Sequence, residues 1–420
     1  MIPRHLRRLL EDSLSAFPAV LLVGARQVGK STLAAALAGP DWPARYLTLD
    51  DRTVLDAAAA DPDGLLRATA TPAIIDEVQR TPDVLRAIKL VIDQRRTPGM
   101  FLLTGSANVL TLATVSETLA GRLAVHELAP FSWAELAEQP VPATIDRLFA
   151  ASDARALVKG WPSRVPEARG AELRDLILHG GYPTPALMRS PRARRTWFES
   201  YRQTYLDRDL RDLANIEHRP DFGRLLTTLA LRTGTILNHA ELSRDVGLPV
   251  ATIRRYFNLL GQTFQLHVVP PYAANVGKRL VKTPKVYLTD TGLCCHLVAA
   301  YSWDALARGE RAGAMVETWA AAELRKLIAL AGEHTDLWYY RTHGGDEVDF
   351  VLERGGELVG VEVKLAAGLD RRHLGGLVAA RAALGRRWRL GVVVHGGAET
   401  LAIDERTAAV PFSVFFGRDQ

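Results

Sequence analysis

Short apolar runs alternate with helix-patterned stretches over the first third of this 420-residue chain. Val20-Leu21-Leu22-Val23 precedes the alanine-rich, helix-favouring run Leu33 to Ala38. Arg45 to Asp50, Ala73 to Glu77 and Met100 to Leu103 read as further strands. Apolar strands separated by helical segments are the pattern of a parallel α/β sheet. Residues 140–172 are rich in Pro, Ala and Gly and predict a linker with a short helix. From about Ala171 to Arg232 the pattern is helical, and its basic cluster Arg189, Arg192, Arg194 and Arg195 reads as a solvated face. Asn238 to Val246, the turn Gly247-Leu248-Pro249 and Val250 to Leu260 predict a helix-turn-helix. Strands at Gln265 to Val269 and Lys285 to Leu288 would add a wing. After a helix over Val316 to Leu327, Gly345 to Leu352 and Leu358 to Leu365 read as two strands about the turn Glu353 to Glu357. The units expected are 1–145, 146–235, 236–298 and 299–420.

Composition adds limits. With 48% hydrophobic and 24% charged residues the chain is globular rather than disordered. No long apolar run free of charge predicts a membrane span, and the basic N-terminus lacks the apolar core of a signal peptide. The two cysteines, Cys294 and Cys295, are adjacent, which fits a reducing, cytoplasmic setting. Net charge is +5. Lysine is scarce in this arginine-rich chain, so Lys30 and Lys364 draw attention as places where a compact ammonium is needed.

Between the first strand and its helix stands Gly24-Ala25-Arg26-Gln27-Val28-Gly29-Lys30-Ser31-Thr32. Strand, glycine loop and helix with this spacing form a nucleotide-binding P-loop. Gly24 and Gly29 let backbone N–H groups and the helix N-terminus face a polyphosphate. Lys30 is placed for the β- and γ-phosphates of ATP, and Ser31 for Mg²⁺. A glycine turn that binds nothing is the competing reading. Ala73-Ile74-Ile75-Asp76-Glu77 ends a strand in two carboxylates, suited to supporting Mg²⁺ (Asp76) and activating water (Glu77). Ser106 or Asn108, after the strand Met100 to Leu103, could sense the γ-phosphate, or form a plain polar loop. Arg122 is the candidate arginine for the γ-phosphate, in cis or from a neighbouring subunit of a homo-oligomer.

A second constellation lies near the C-terminus. If Gly355-Gly356 is a two-residue hairpin turn, Asp349 falls opposite Glu362, with Lys364 on the same face. Facing carboxylates need neutralising. A Mg²⁺ between them would do so, with Lys364 stabilising phosphate charge or orienting water and Glu317 as a further ligand. From Arg232 to Lys285, eight basic residues against Glu241 and Asp245 leave 8 − 2 = +6, more than the whole chain's +5. That concentration favours phosphate-backbone binding by the helix-turn-helix, through Arg254, Arg255, Lys278, Arg279 and Lys282. A lid or docking surface is the alternative.

Several strings carry a resemblance. Gly24 to Thr32, Ile75-Asp76-Glu77, Leu103-Thr104-Gly105-Ser106, Gly121-Arg122 and Leu128-Ala129-Pro130-Phe131-Ser132 resemble a group of prokaryotic AAA-type ATPases with a C-terminal domain of unknown function. The resemblance continues through Gly181-Tyr182-Pro183, Tyr205 to Leu210 and Pro284 to Leu293, so it covers nearly the full chain. It implies ATP binding, hydrolysis and a C-terminal module similar to restriction endonucleases. The Asp…Glu-x-Lys core of such nucleases maps onto Asp349, Glu362 and Lys364, without the Pro that often precedes the acidic residue. The predicted class is therefore α/β: an AAA-type ATPase domain, a helical middle region, a winged helix-turn-helix and a restriction-endonuclease-like α/β domain. The partners expected are ATP, Mg²⁺ and nucleic acid, with DNA favoured and no membrane. The alternative is a nucleotide-dependent switch that binds a protein partner or DNA with an inactive nuclease-like tail.

Overall fold

The computed structural model describes residues 2–106, 121–204, 219–273, 283–342, 344–368 and 370–420. Five parallel strands form the first sheet: β1 (Ala19–Val23), β2 (Arg45–Thr48), β3 (Ala73–Asp76), β4 (Phe101–Gly105) and β5 (Leu123–Glu127), in the order β2-β3-β4-β1-β5. Every residue of β1, β3 and β4 is buried, as continuous apolar strands covered on both faces must be. Val20 and Leu22 of β1 face one core with α1 (Leu6–Ala16) and α2 (Lys30–Leu37). Ala19, Leu21 and Val23 face the other, with α3 (Asp83–Arg95). Parallel pairing puts the ends Val23, Asp76 and Gly105 on one edge of the sheet.

The middle of the chain carries α6 (His239–Val246) and α7 (Val250–Gln262) around Gly247, whose φ of 73° supplies the left-handed turn that ends α6. The Asn238 side chain caps α6, accepting from the N–H groups of Ala240 and Glu241. Beside them lies a three-stranded antiparallel sheet, β6 (Thr235–Ile236), β8 (Lys285–Leu288) and β7 (Leu266–Val269), with β8 in the centre and wholly buried.

Six strands form the C-terminal sheet, in the order β13-β14-β12-β11-β10-β9. These are β9 (Asp336–Arg341), β10 (Glu347–Arg354), β11 (Glu357–Lys364), β12 (Trp388–His395), β13 (Leu401–Ala402) and β14 (Thr407–Pro411). The β10–β11 pair is an antiparallel hairpin, whereas β11, β12 and β14 run parallel, with α9 (Gly375–Leu384) crossing between β11 and β12.

Residues 140–172 do not behave as a free linker. Helices α4 (Thr144–Ala150) and α5 (Ala154–Val158) lie against the C-terminal sheet. The Thr144 hydroxyl donates to the Phe415 carbonyl at 2.7 Å, Ala154 N–H to the Glu405 carbonyl at 2.9 Å and Val165 N–H to the Ala398 carbonyl at 2.9 Å. Ile145, Leu148, Leu157 and Trp161 are the buried anchors that the Pro, Ala and Gly around them hid from a compositional reading.

One apolar cluster joins the whole molecule, from Leu6 and Val20 through Leu225 to Val361 and Phe416. The long helix α8 (Ala312–Leu330) runs through it. Trp319 of α8 meets Trp133, just beyond β5, at 5.7 Å, and Phe412 and Phe416 at 5.8 and 4.8 Å, all edge to face. This largest cluster therefore crosses the boundaries expected at 145, 235 and 298, whereas the cluster of Ala19, Leu21 and Val23 has its buried members within the first unit. Among the described residues no helix is long and apolar enough to cross a membrane.

Candidate functional site

The glycine loop joins β1 to α2 at the edge where the strands end. Its backbone turns through positive φ at Gly24 (147°), Gln27 (64°) and Gly29 (97°). A Cβ on Gly24 would stand 2.4 Å from the Leu128 carbonyl oxygen, so close approach to the segment after β5 requires glycine there. Lys30 is buried, and its ammonium donates to the carbonyls of Gly24 and Ala25, both at 2.9 Å. Val28 is fully buried, Ala25 nearly so, and Ser31 and Thr32 open the helix beyond Lys30. Arg26 sits between Ala25 and Gln27 in the turn.

Asp76 is 4% exposed and is held by hydroxyl groups. Ser31 Oγ donates to its two oxygens at 2.9 and 3.0 Å, Thr104 Oγ1 donates to Oδ1, and Thr48 Oγ1 to Oδ2 at 3.4 Å. A serine hydroxyl and a carboxylate in contact at a phosphate loop are the hard-oxygen donors that suit Mg²⁺. Glu77 follows in a left-handed conformation, φ 63° and ψ 44°, with its N–H donating to Thr104 Oγ1 at 3.1 Å. A 3₁₀ turn over Val78–Arg80 then brings Gln79 back, and its amide donates to the Glu77 carboxylate and to Ser106 Oγ, the latter at 3.0 Å. Ser106 thus reaches Glu77 through Gln79, a residue the motif reading missed.

Arg4 was also missed. Its guanidinium donates to the Val28 carbonyl in the glycine loop (2.9 Å) and to the Ala129 carbonyl (2.6 Å). It also pairs with Glu135 (3.0 Å) and stacks 4.7 Å above Phe131. It lies far from the loop in sequence, so no local pattern announces it. Arg122, by contrast, is not brought to the loop. It precedes β5 at the opposite edge of the sheet and pairs with Asp93 at 2.6 Å. Five parallel residues separate it from the phosphate edge, about 17 Å. Asn108 lies outside the described residues.

The C-terminal hairpin has the expected register. Phe350 pairs with Val361 and Arg354 with Glu357, and both Gly355 (φ 58°) and Gly356 (85°) are left-handed, as a tight hairpin turn requires. Asp349 and Glu362 are next in that register. Asp349 Oδ2 accepts from Val363 N–H at 2.8 Å, and Lys364 Nζ meets Glu362 Oε1 at 2.6 Å. Glu362 Oε2 is buried and without a hydrogen-bond partner among the described residues. Burial, reinforced by the charges of Glu317 and Glu362, pushes the Asp349 carboxyl well above the usual range, and burial raises that of Glu362. Burial works against the charge on Lys364, but Glu362 and Asp349 more than offset it.

Glu317 does not stand ready as a third ligand. Its Oε1 accepts from Lys285 Nζ at 2.9 Å and from the Tyr287 hydroxyl at 2.7 Å. Lys285 comes from β8, is 4% exposed and also meets Glu347 at 2.5 Å. Burial disfavours its charge, yet Glu317, Asp349 and Glu347 hold its pKa above the ordinary lysine value. Among the described residues no three acidic, His or Cys side chains are arranged to hold a metal. The Lys285 ammonium instead engages Glu317 Oε1.

The positive field of the middle region is reduced in the same way. Lys285 faces the carboxylates of Glu317 and Glu347, which lie outside the stretch counted at +6, whereas Arg232 pairs with Glu241 at 2.8 Å and Asp245 at 2.5 Å, the two acids already subtracted there. Arg254 and Arg255 remain exposed on α7, with Arg255 5.3 Å above the Tyr256 ring. Lys278, Arg279 and Lys282 lie outside the described residues.

Known proteins place this geometry. Residues 16–137 match the family model described as an AAA domain. Residues 170–304 and 312–415 match two domains of unknown function, DUF8612 and DUF4143. The Mycobacterium tuberculosis uncharacterized protein Rv2008c is 30% identical over 405 residues, 96% of this chain and 82% of the relative. The Mycobacterium bovis uncharacterized protein Mb2031c matches with the same figures. The chain belongs to their family.

Its N-terminal domain is an AAA-type, ATP-binding P-loop domain, and the glycine loop, Asp76 and Glu77 all fall within the matched segment. Two solved structures are similar at low identity. The Walker-type ATPase PABY2304 of Pyrococcus abyssi is 18% identical, with 71% of this chain and 96% of that chain covered and a TM-score of 0.42. Thermotoga maritima RuvB is 17% identical, with 63% and 89% covered and a TM-score of 0.30. In this family member the DUF8612 segment contains Lys285, whereas the carboxylates it contacts lie in the DUF4143 segment. The match to DUF4143 brings no chemistry of its own.

Proposed function

We propose that this chain hydrolyses ATP and passes its nucleotide state through α8 to the carboxylate–lysine site of the C-terminal sheet, which engages nucleic acid. The observation that carries the reading is that α8 touches both ends. Toward the ATPase, Glu323 accepts from Trp133 N–H at 3.2 Å, Lys326 donates to the Phe131 carbonyl at 2.8 Å and Arg325 meets Glu127 at 3.0 Å. Phe131 and Glu135 are held by Arg4, which grips the glycine loop at Val28. Nine residues back along α8, about 13 Å, Glu317 enters the C-terminal cluster.

At the ATP site, backbone N–H groups of Gly24 to Thr32 would hold the phosphates. Lys30 would exchange the Gly24 and Ala25 carbonyls for the β- and γ-phosphates. Ser31 and Asp76 would hold Mg²⁺, which neutralises charge on the phosphates. Glu77 takes the proton of the attacking water, oriented by Gln79 and Ser106. In the C-terminal cluster Glu317, Glu347, Asp349 and Glu362 face Lys285, Lys364 and Arg341, so 4 − 3 = 1 negative charge is uncompensated if all ionise. Asp349 with Glu362 and its unpartnered oxygen would hold a divalent cation. Lys364 then faces a scissile phosphate. The helix-turn-helix and its sheet, read as a winged helix, would present Arg254 and Arg255 to a phosphate backbone.

The commitment of Glu317 to Lys285 favours a second reading, in which the tail binds nucleic acid without cutting it. A cleavage assay on DNA and RNA with Mg²⁺ or Mn²⁺ and ATP separates the two. We expect Lys364→Ala to abolish cleavage while ATP hydrolysis persists, and Lys30→Ala to abolish hydrolysis and alter cleavage. Intact DNA and RNA with the wild-type protein under every condition would remove the nuclease half.

A further inference from the structure

A cleft of about 580 Å³ opens at the far end of the C-terminal sheet and is walled by arginine. Arg381 comes from α9, Arg386 and Arg387 from the turn after it, Arg389 from β12 and Arg406 from the approach to β14. The volume lies within the range of small-ligand sites. Strands β11 and β12 run from this cleft toward Lys364 and His395, so five residues, about 17 Å, separate Glu357 at the cleft from Glu362 of the carboxylate cluster.

Some of these arginines are braced. Arg389 donates from Nη1 to both oxygens of Glu357, at 2.8 and 2.7 Å, and twice to the Ala151 carbonyl. Arg387 meets Glu353 at 2.6 Å and the Gly356 carbonyl at 3.0 Å. Arg381 stands 3.6 Å from Asp404. Among the described residues Arg386 has no carboxylate partner, and the Arg406 guanidinium donates to the Arg389 carbonyl at 3.2 Å while its backbone N–H donates to Asp404 at 2.7 Å. Five guanidinium groups against Glu353, Glu357 and Asp404 leave 5 − 3 = +2 in one concavity.

Bracing alone does not call for Arg386 and Arg406. Converging like charges repel, and a guanidinium offers five N–H donors, most of them unused here. Planar forks held in place by carboxylates and carbonyls lose little freedom when an anion binds, and phosphate oxygens match them in pairs. We propose that this cleft is a binding site for a phosphate-bearing polyanion, either a free oligophosphate or a stretch of nucleic-acid backbone. It is independent of the glycine loop and of the carboxylate cluster.

The test uses the full chain with Lys30→Ala, which removes phosphate binding by the glycine loop. Binding of inorganic tripolyphosphate and of a short fluorescent DNA duplex is measured at low salt. The added pair Arg386→Glu and Arg406→Glu is expected to weaken binding tenfold or more. The same reversal at the exposed Arg86 and Arg95 of α3 should leave it unchanged. Loss of tripolyphosphate and duplex binding together identifies a free-phosphate site that also accepts backbone, and loss of duplex binding alone identifies the backbone as ligand. In an otherwise wild-type chain the Arg386/Arg406 pair should leave ATP hydrolysis unchanged. The proposal falls if neither probe binds, if the Arg386/Arg406 pair binds both as before, or if the α3 reversal weakens binding equally.

Discussion

Glu77 is a non-glycine residue held at φ 63°, in the left-handed region where a side chain crowds the backbone. Such strain persists where surrounding structure enforces it, here the hydrogen bonds from its N–H to Thr104 and from Gln79 to its carboxylate. Glu77→Gln should lower the rate of ATP hydrolysis about 10²-fold or more while ATP binding stays near wild type. Glu77→Gly should be equally slow yet raise thermal stability by about 1 kcal/mol, since glycine adopts this conformation freely. Turnover and melting temperature measured on both variants distinguish a positioned base from a structural turn. The Asp76-Glu77 pair was legible in the sequence because a strand ending in two carboxylates is a local pattern. Gln79 was not, because only the 3₁₀ turn reveals that it folds back. Arg122 stands away from its own glycine loop, which leaves the neighbouring-subunit alternative for it: with no strand foreseen at Leu123–Glu127, nothing indicated that it begins a strand rather than follows one.

At the scale of elements, the hairpin β10–β11 shows how far register arithmetic reaches. A two-residue glycine turn fixes pairing outward from itself, so the sequence alone assigns Asp349, Glu362 and Lys364 to one face. What the arithmetic could not supply was Lys285, which arrives from β8 in a different segment and diverts Glu317. The cluster has a consequence for pH. The folded-state pKa of Asp349 is raised, chiefly by burial and then by Glu317 and Glu362. A raised carboxyl pKa means that the unfolded chain releases the proton first, so stability falls as pH rises from the unfolded value near 4 toward the folded one. Below that window Asp349→Asn should match the wild type within experimental error. Through it the variant should become progressively more stable than the wild type, and above it the advantage should level off, because the amide never takes up the unfavourable charge. Melting temperatures across pH in chelator decide this, and a difference that stays flat or reverses would show that Asp349 is not carrying the raised pKa.

Across the whole molecule the AAA domain and the C-terminal sheet share one core, and the segment read as a linker is pinned to that sheet by Ile145, Leu148 and Trp161. Alternation and motif spacing expose elements and sites, but a composition rich in Pro, Ala and Gly looks the same whether a segment floats or packs. The packing matters because α8 then has no freedom to move apart from either neighbour. Where it meets the ATPase, α8 carries its own i,i+3 pair, Lys326 with Glu323 at 2.7 Å, and burial raises the Glu323 carboxyl above its usual range. Removing one partner strands the other, so Lys326→Met alone should cost about 3 kcal/mol or more. Replacing both, with Glu323→Leu and Lys326→Met, restores apolar packing and should recover most of that loss. The double variant also cuts the tie from α8 to the Phe131 carbonyl and the Trp133 N–H while leaving Lys30, Asp76 and Glu77 untouched. Hydrogen exchange of the amides in β10 and β11 is then the decisive readout. In the wild type, ATP should change their protection although the nucleotide binds on the other side of α8. In the double variant ATP should still bind, and the hairpin should no longer respond. A hairpin indifferent to ATP in the wild type, or equally responsive in the double variant, would mean that α8 holds the two ends together without transmitting between them.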